Sequence, residues 1–409
     1  MGAQVQTIFP SVSTWQKRYS LRRCADPALK AAVGFWFVVM VVGQLVFAFT
    51  VASYYGLAAV RGNTALAWTK HITHGQVPGD TLGNFAVAMH LATAVIVSAA
   101  GMMQLIPQVR VRFPAFHRWN GRLYLLTAFT VSLAGLYMTW VRGSVGDLSQ
   151  HLGSSLMAVL IMVFAGIALR SAMARDFQTH RRWALRLYLV VGASLFIRAG
   201  LFLSLVLNRG PFGFDPSTFT GPFLTFMAFA QYLIPLAVLE LYLRAKERGG
   251  PASRLAMAAG LSLLTVALAF GILATSMVAW LPSIRQAYDS RKSIAATLSQ
   301  TIVSSGVDEA ARLYRDLKVL ASAKYNFDEN QLNTLGYQLI KAKKFNEAIS
   351  ILQLNVEAYP KSSNAYDSLG EAYLDNGDKA QAIANYQKSV QLNAKNLNAV
   401  KMLEKLKAP

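Results

Sequence analysis

The sequence predicts an all-α polytopic membrane protein of about seven helices, built around a four-helix core and followed by a smaller domain of soluble helices. Three observations predict it. Apolar residues make up 54% of the 409 positions and charged residues only 15%, an imbalance that soluble domains do not carry. The stretch from Asn84 to Asn208 says nearly the same thing twice: Met89-His90-Leu91 is followed by His117-Arg118-Trp119 after 27 positions, and Gln150-His151-Leu152 by His180-Arg181-Arg182-Trp183 after 29. This reads as a duplicated helical hairpin. After Pro282 the long apolar runs stop, and Asn, Lys, Asp and Glu appear at helical spacing.

A helix needs roughly 20 apolar residues to cross the hydrocarbon core. Segments near 31–53, 84–106, 119–141, 151–171, 184–207, 220–243 and 255–281 qualify, and each must be helical because lipid offers the backbone no hydrogen-bond partner. Ahead of the first, Lys17, Arg18, Arg22 and Arg23 precede an apolar run with no small-residue cleavage site, which reads as a retained span. Basic turns alternate with poor ones. Arg110, Arg112 and Arg118, then Arg170, Arg175, Arg181 and Arg182, then Arg244, Lys246, Arg248 and Arg254 mark cytoplasmic connections. The expectation is a bacterial inner-membrane protein, N-terminus cytoplasmic, with a cytoplasmic arm over 1–30, a membrane domain over 31–282 and everything beyond it periplasmic.

The formal charge of +20 does not signal nucleic acid, because no basic run is interleaved with aromatics. Cys24 is the single cysteine, so disulfides and Cys-type metal sites are excluded. Phosphate loops, nucleophile elbows and paired-carboxylate sites are absent from the sequence, which argues against hydrolysis. His71 and His74, in the connection over 54–83, are too few to hold zinc. Gln44 is a lone polar group in the first span; Gln231, Pro235 and Glu240 in the sixth line a cavity or mark a kink.

A period of 34 runs through the tail, where Leu335 and Leu369, Gly336 and Gly370, and Ala348 and Ala382 correspond. Tyr366, Leu369, Gly370, Tyr373, Ala382 and Tyr386 resemble the tetratricopeptide repeat over about 329–396. Asp308 to Tyr314 resembles the second helix of an incomplete earlier unit within a connector over 283–328. The resemblance implies stacked helix pairs over 329–409, with either a docking face for a periplasmic protein or peptide or a stabilising spacer.

The histidines carry the chemistry. By topology His90 and His151 share one membrane level and His117 and His180 the other. From each histidine the 3.6-residue period places small side chains on the same face, among them Gly101, Gly121, Ala158 and Ala184. Such faces suit close helix packing or a flat macrocycle equally. Arg198, five turns beyond His180, is a charge inside a span and calls for an anion, or else snorkels to the headgroups. Interfacial anchoring is the other account of the two His-Arg-Trp turns.

The placement resembles the ascorbate-reducible, two-haem transmembrane b-type cytochromes. That likeness implies haem b held by His90 and His151 at one level and by His117 and His180 at the other, with Arg198 near a propionate. In wording, Pro114 to Tyr124, His180 to Arg186, and Arg198 resemble an uncharacterised family of multi-span bacterial membrane proteins. The expectation is a transmembrane electron carrier, a possible oxidoreductase, taking electrons from a quinol or other small reductant and docking a periplasmic partner. The alternatives are a redox-silent scaffold or sensor acting through its repeats, and a small-molecule binder or transporter centred on Arg198.

Overall fold

The computed structural model describes residues 12–61, 68, 72, 75–77, 79–216, 218–289 and 291–407. His71 and His74 lie outside the described residues. The chain forms two compact units, Met1–Tyr288 and Asp289–Pro409.

The first unit is built from α1 (Val12–Val51), α2 (Thr81–Leu105), α3 (Pro114–Tyr137), α4 (Leu148–Met173), α5 (Phe177–Val191), α6 (Ala193–Leu207), α7 (Pro222–Arg248) and α8 (Pro251–Thr275). Local chemistry marks where they start. Asp80, Asp147 and Asp176 accept from Gly83, Gln150 and Thr179 backbone N–H groups and cap α2, α4 and α5. Pro114, Pro222 and Pro251 open α3, α7 and α8, where a missing N–H costs nothing.

Among the described residues, six helical stretches are long and apolar enough to cross a membrane, and the α5–α6 pair, bent by 43°, makes a seventh if it is one span. Large apolar side chains such as Val38, Leu126 and Leu263 stand exposed on the outside of the bundle, as lipid-facing positions do. The fifth span, expected as one helix over 184–207, is therefore broken at Gly192. A Cβ there would meet the Gln44 amide at 3.4 Å and Met40 at 3.5 Å. Gln44, the polar residue singled out in the first span, is thus packed at the break.

The duplicated hairpin is visible as α2–α3 and α4–α5, whose inner faces merge in one core of Val97, Ala100, Tyr124, Ala128, Ile161, Phe164, Leu187 and Val190. Tyr232 of α7 completes it and is fully buried. Beside it α1, α6 and α8 pack through glycines. A Cβ on Gly43 would meet Ile272 at 2.6 Å, and one on Gly271 the Ala199 carbonyl oxygen at 2.6 Å.

The second unit stacks α9 (Ile294–Ser305), α10 (Val307–Leu320), α11 (Glu329–Lys341), α12 (Phe345–Ala358), α13 (Ser363–Asp375), α14 (Lys379–Leu392) and α15 (Leu397–Lys407). Its one short sheet pairs Lys292–Ser293 with Tyr325–Asn326 in parallel. Helices α11, α13 and α15 begin at 34-residue intervals, at Glu329, Ser363 and Leu397. The repeated glycines let each pair close: a Cβ on Gly336 would sit 2.6 Å from Leu352, and one on Gly370 would sit 3.0 Å from Tyr386 at the equivalent place.

Carboxylates of this unit fall into two sets. Hydrogen bonds from Arg315 hold Glu357 below the usual carboxylate range, and Arg291 does the same for Asp289. Burial pushes Asp367 and Glu371 above it. A raised folded-state value means the native form binds more protons than the unfolded chain as pH falls from neutral, so stability rises there. The depressed pair loses its contribution only at lower pH, below the usual range. We therefore expect thermal stability to pass through a maximum under mildly acidic conditions. In Asp367→Asn/Glu371→Gln the gain on mild acidification should vanish, as read by circular dichroism melts across pH.

Candidate functional site

The four histidines lie in different surroundings. His90 lies against α3, where a Cβ on Gly135 would meet its Cε1 at 3.7 Å and its Nδ1 at 3.9 Å; that Nδ1 is buried with no hydrogen-bond partner. His151 faces the turn that follows α3, beyond the same end of that helix. Its Nε2 lies 3.1 Å from the Ser144 hydroxyl and its ring stands edge-on to Trp140 at 6.0 Å. His180 places Nδ1 2.8 Å from the Ala168 carbonyl oxygen, leaving Nε2 directed elsewhere. His117 is close enough to interact electrostatically with His180, and its Nδ1 has no partner.

The small positions that would admit a macrocycle are filled from within. Gly101 is covered by Tyr124, 2.8 Å from where its Cβ would stand, and by Tyr188; Gly121 is covered by the Gln104 amide, which donates to the His117 carbonyl at 3.0 Å. Gly135 is covered by His90. Small residues here serve close packing of side chains; of the outer pair expected to hold haem, His90 lies against Gly135 and His151 against Ser144 and Trp140. The inner pair keeps one feature of a metal ligand, the Nδ1 contact of His180. Among the described residues, no three His, Cys, Asp or Glu side chains gather as a metal site.

The arginines separate structural from functional charge. Arg142 bonds Asn84 at 2.8 Å and approaches Asp80 at 3.6 Å; Arg182 pairs with Glu247 and Arg186 with Glu240, each at 2.6 Å. Glu240, read as a cavity or kink residue, is therefore the counter-ion of Arg186. Gln231, read the same way, donates to the Ala228 carbonyl within its own helix.

Arg198 is different. Its one hydrogen bond among the described residues runs from Nη1 to the Ser194 carbonyl, 2.7 Å away, and it forms no salt bridge. The guanidinium lies 4.8 Å from the Phe47 ring centroid and within electrostatic range of Tyr55 and His90. Thr275, fully buried on α8, donates to the Arg198 carbonyl at 3.2 Å. So α1, α2, α6 and α8 all contribute to one region near the Asp80 end of the bundle.

That region is also where the helices deform. π-turns stand at this end of three helices: Ala52–Gly56 follows α1 and Ser276–Trp280 follows α8, each before a short further stretch of helix, and Met138–Gly143 closes α3. The fourth, α5–α6, carries the 43° bend. π-turns widen a helix and leave backbone groups imperfectly paired, and they gather at functional sites. Phe47, Tyr55 and Thr275 escape sequence reasoning because each looks like an ordinary span residue. Only the aromatic pair Tyr54-Tyr55 at the end of the first span carries a signal, and it reads equally as an interfacial anchor.

The fold defines an all-α multi-span membrane protein with a helical-repeat unit. Residues 87–243, from α2 into α7, match a family described as "Predicted membrane protein (DUF2306)". Short segments are similar to Superkiller complex protein 3 of Homo sapiens, 35% identical over 65 residues, and of Mus musculus, 38% identical over 58 residues. Those matches cover 16% and 14% of this chain, which spans only 4% of each relative's length.

Proposed function

We propose that the membrane unit binds a small anionic molecule with an apolar body, its charged group held by Arg198 and His90 and covered by Phe47 and Tyr55. The observation that carries this reading is the Arg198 guanidinium, half-buried in the bundle without a carboxylate while Arg142, Arg182 and Arg186 each have one. A desolvated cation attracts an anion far more strongly than one in water. The unused Nδ1 of His90 supplies a second polar contact. Basic turns at the Phe113 end support a cytoplasmic N-terminus, and on that reading Arg198 would lie toward the periplasmic leaflet of a bacterial inner membrane. The repeat unit, over 329–409, would then dock a protein or peptide on the periplasmic side.

The test uses a dansyl-labelled eleven-carbon fatty acid and the full chain in detergent micelles. Saturable fluorescence enhancement is expected, with affinity reduced about tenfold or more in Arg198→Gln, the scale of one charge-assisted contact. Equal affinity in the two proteins overturns the reading.

The rival is a single bis-imidazole haem held by His117 and His180, favoured by the Nδ1 contact of His180 with Ala168. A haem there would supply one-electron chemistry. Protein purified from haem-sufficient cells would then show visible bands that sharpen on dithionite and disappear in His180→Ala. A colourless preparation removes this rival.

A further inference from the structure

Asp367, Glu371 and Asp375 follow one another at four-residue spacing on α13, so they share a face. None of the three forms a salt bridge with a described lysine or arginine. Burial and the neighbouring carboxylates act on Glu371 in the same direction. Like charges stacked along a helix destabilise it, and nothing in the repeat architecture requires them. The equivalent positions one repeat earlier are Asn333, Tyr337 and Lys341.

Their surroundings are built rather than incidental. Asp367 is only 8% exposed, and one of its carboxylate oxygens, Oδ1, is buried with no hydrogen-bond partner. The other accepts from the Asn398 amide of α15 at 3.0 Å, and the Asn396 side chain also acts on this carboxyl. Tyr337 of α11 donates to Glu371 at 2.7 Å and fixes its carboxylate. Tyr386 of α14 is fully buried, yet its hydroxyl has no partner and lies within electrostatic range of all three carboxylates. A buried acceptor left open is unfavourable unless something donates to it. The missing component is a donor with positive charge.

We propose that this face of the repeat unit is a receptor for a cationic peptide side chain, a lysine ammonium or arginine guanidinium seated between Asp367 and Glu371. The proposal rests on the docking role of the repeat unit and is independent of the Arg198 site. An ammonium offers three donors and a guanidinium five, enough to satisfy Asp367 Oδ1 and the free capacity of Glu371 together. Charge complementarity selects a basic segment; an acidic one would add a fourth negative charge to an uncompensated row.

The experiment is fluorescence anisotropy on the full chain in detergent micelles, with a fluorescein-labelled Gly-Lys-Ser-Lys-Gly peptide and the same peptide acetylated on both lysines. The lysine peptide is expected to bind at least about tenfold more tightly than the acetylated one. Asp367→Asn/Glu371→Gln should bring it down to the acetylated level, while far-ultraviolet circular dichroism confirms the same helix content. Asp308→Asn/Asp316→Asn removes two exposed carboxylates on α10 and should leave binding unchanged. Lysine-peptide binding that survives Asp367→Asn/Glu371→Gln keeps docking and overturns the acidic receptor. Equal loss in both double variants reduces the effect to net charge and also overturns it. Binding of neither peptide overturns the proposal together with peptide docking on this face.

Discussion

Arg198→Met is expected to raise the thermal midpoint of the ligand-free protein in detergent, whereas Arg186→Met lowers it. The two arginines lie on consecutive helices of the same bent span and differ in their surroundings. Arg186 donates through Nε and Nη2 to Glu240 and stacks 4.7 Å from the Trp183 ring. Removing it strands a half-exposed carboxylate and loses that stacking, a cost of about 1 kcal/mol. Arg198 has a carbonyl and a ring for company. An arginine at the helix centre costs about 2.5–3.5 kcal/mol on membrane-insertion scales; the cost is smaller toward the helix end, where Arg198 lies, and the Ser194 carbonyl offsets part of it. Relief of the remainder, on the order of 1 kcal/mol, should lift the midpoint by about 2–4 °C. Stability surrendered at a binding site is regained when the site is disabled. A lower midpoint for Arg198→Met would mean the cation is already satisfied, and the anion-binding reading goes with it.

Gly271→Ala is expected to destabilise the membrane unit by about 1–3 kcal/mol, and Gly271→Val by more, through overpacking against backbone. A Cβ at Gly271 would stand 2.6 Å from the Ala199 carbonyl oxygen and 2.9 Å from the Ala199 Cβ. Backbone cannot swing aside as a side-chain tip does, so α8 must move away from α6. That movement also displaces Thr275, which holds the Arg198 carbonyl. Probe affinity should therefore fall together with the thermal midpoint. Gly260→Ala on the same helix is the control: its added methyl meets nothing within 4 Å. Comparable losses at both glycines would place the cause in the helix itself and remove close packing of α6 on α8 as the explanation.

Much of the bundle was readable from residue order. Apolar length located the spans, and Asp80, Asp147, Asp176, Pro114, Pro222 and Pro251 stand where helices start. The 34-residue period in the tail matches the starts of α11 and α13, because stacked pairs repeat their contacts along with their sequence. Within the candidate site, Arg198 was legible as an intramembrane charge that needs an anion. Its neighbours Phe47, Tyr55 and Thr275 were not, since they arrive from α1, the turn after it, and α8, far away in sequence.

The histidines show the boundary most clearly. Their order and spacing give the membrane level expected of each, since 1.5 Å per residue converts position into depth. Which way each ring turns depends on how neighbouring helices rotate and close, and that is settled by contacts between distant segments. His90 turned to Gly135, His151 to Ser144 and His180 to Ala168. Depth, helicity and repeat period are local or one-dimensional properties, so residue order alone settles them. Partnership among polar groups is three-dimensional, and only packing decided that Glu240 answers Arg186 while Arg198 is left without a carboxylate.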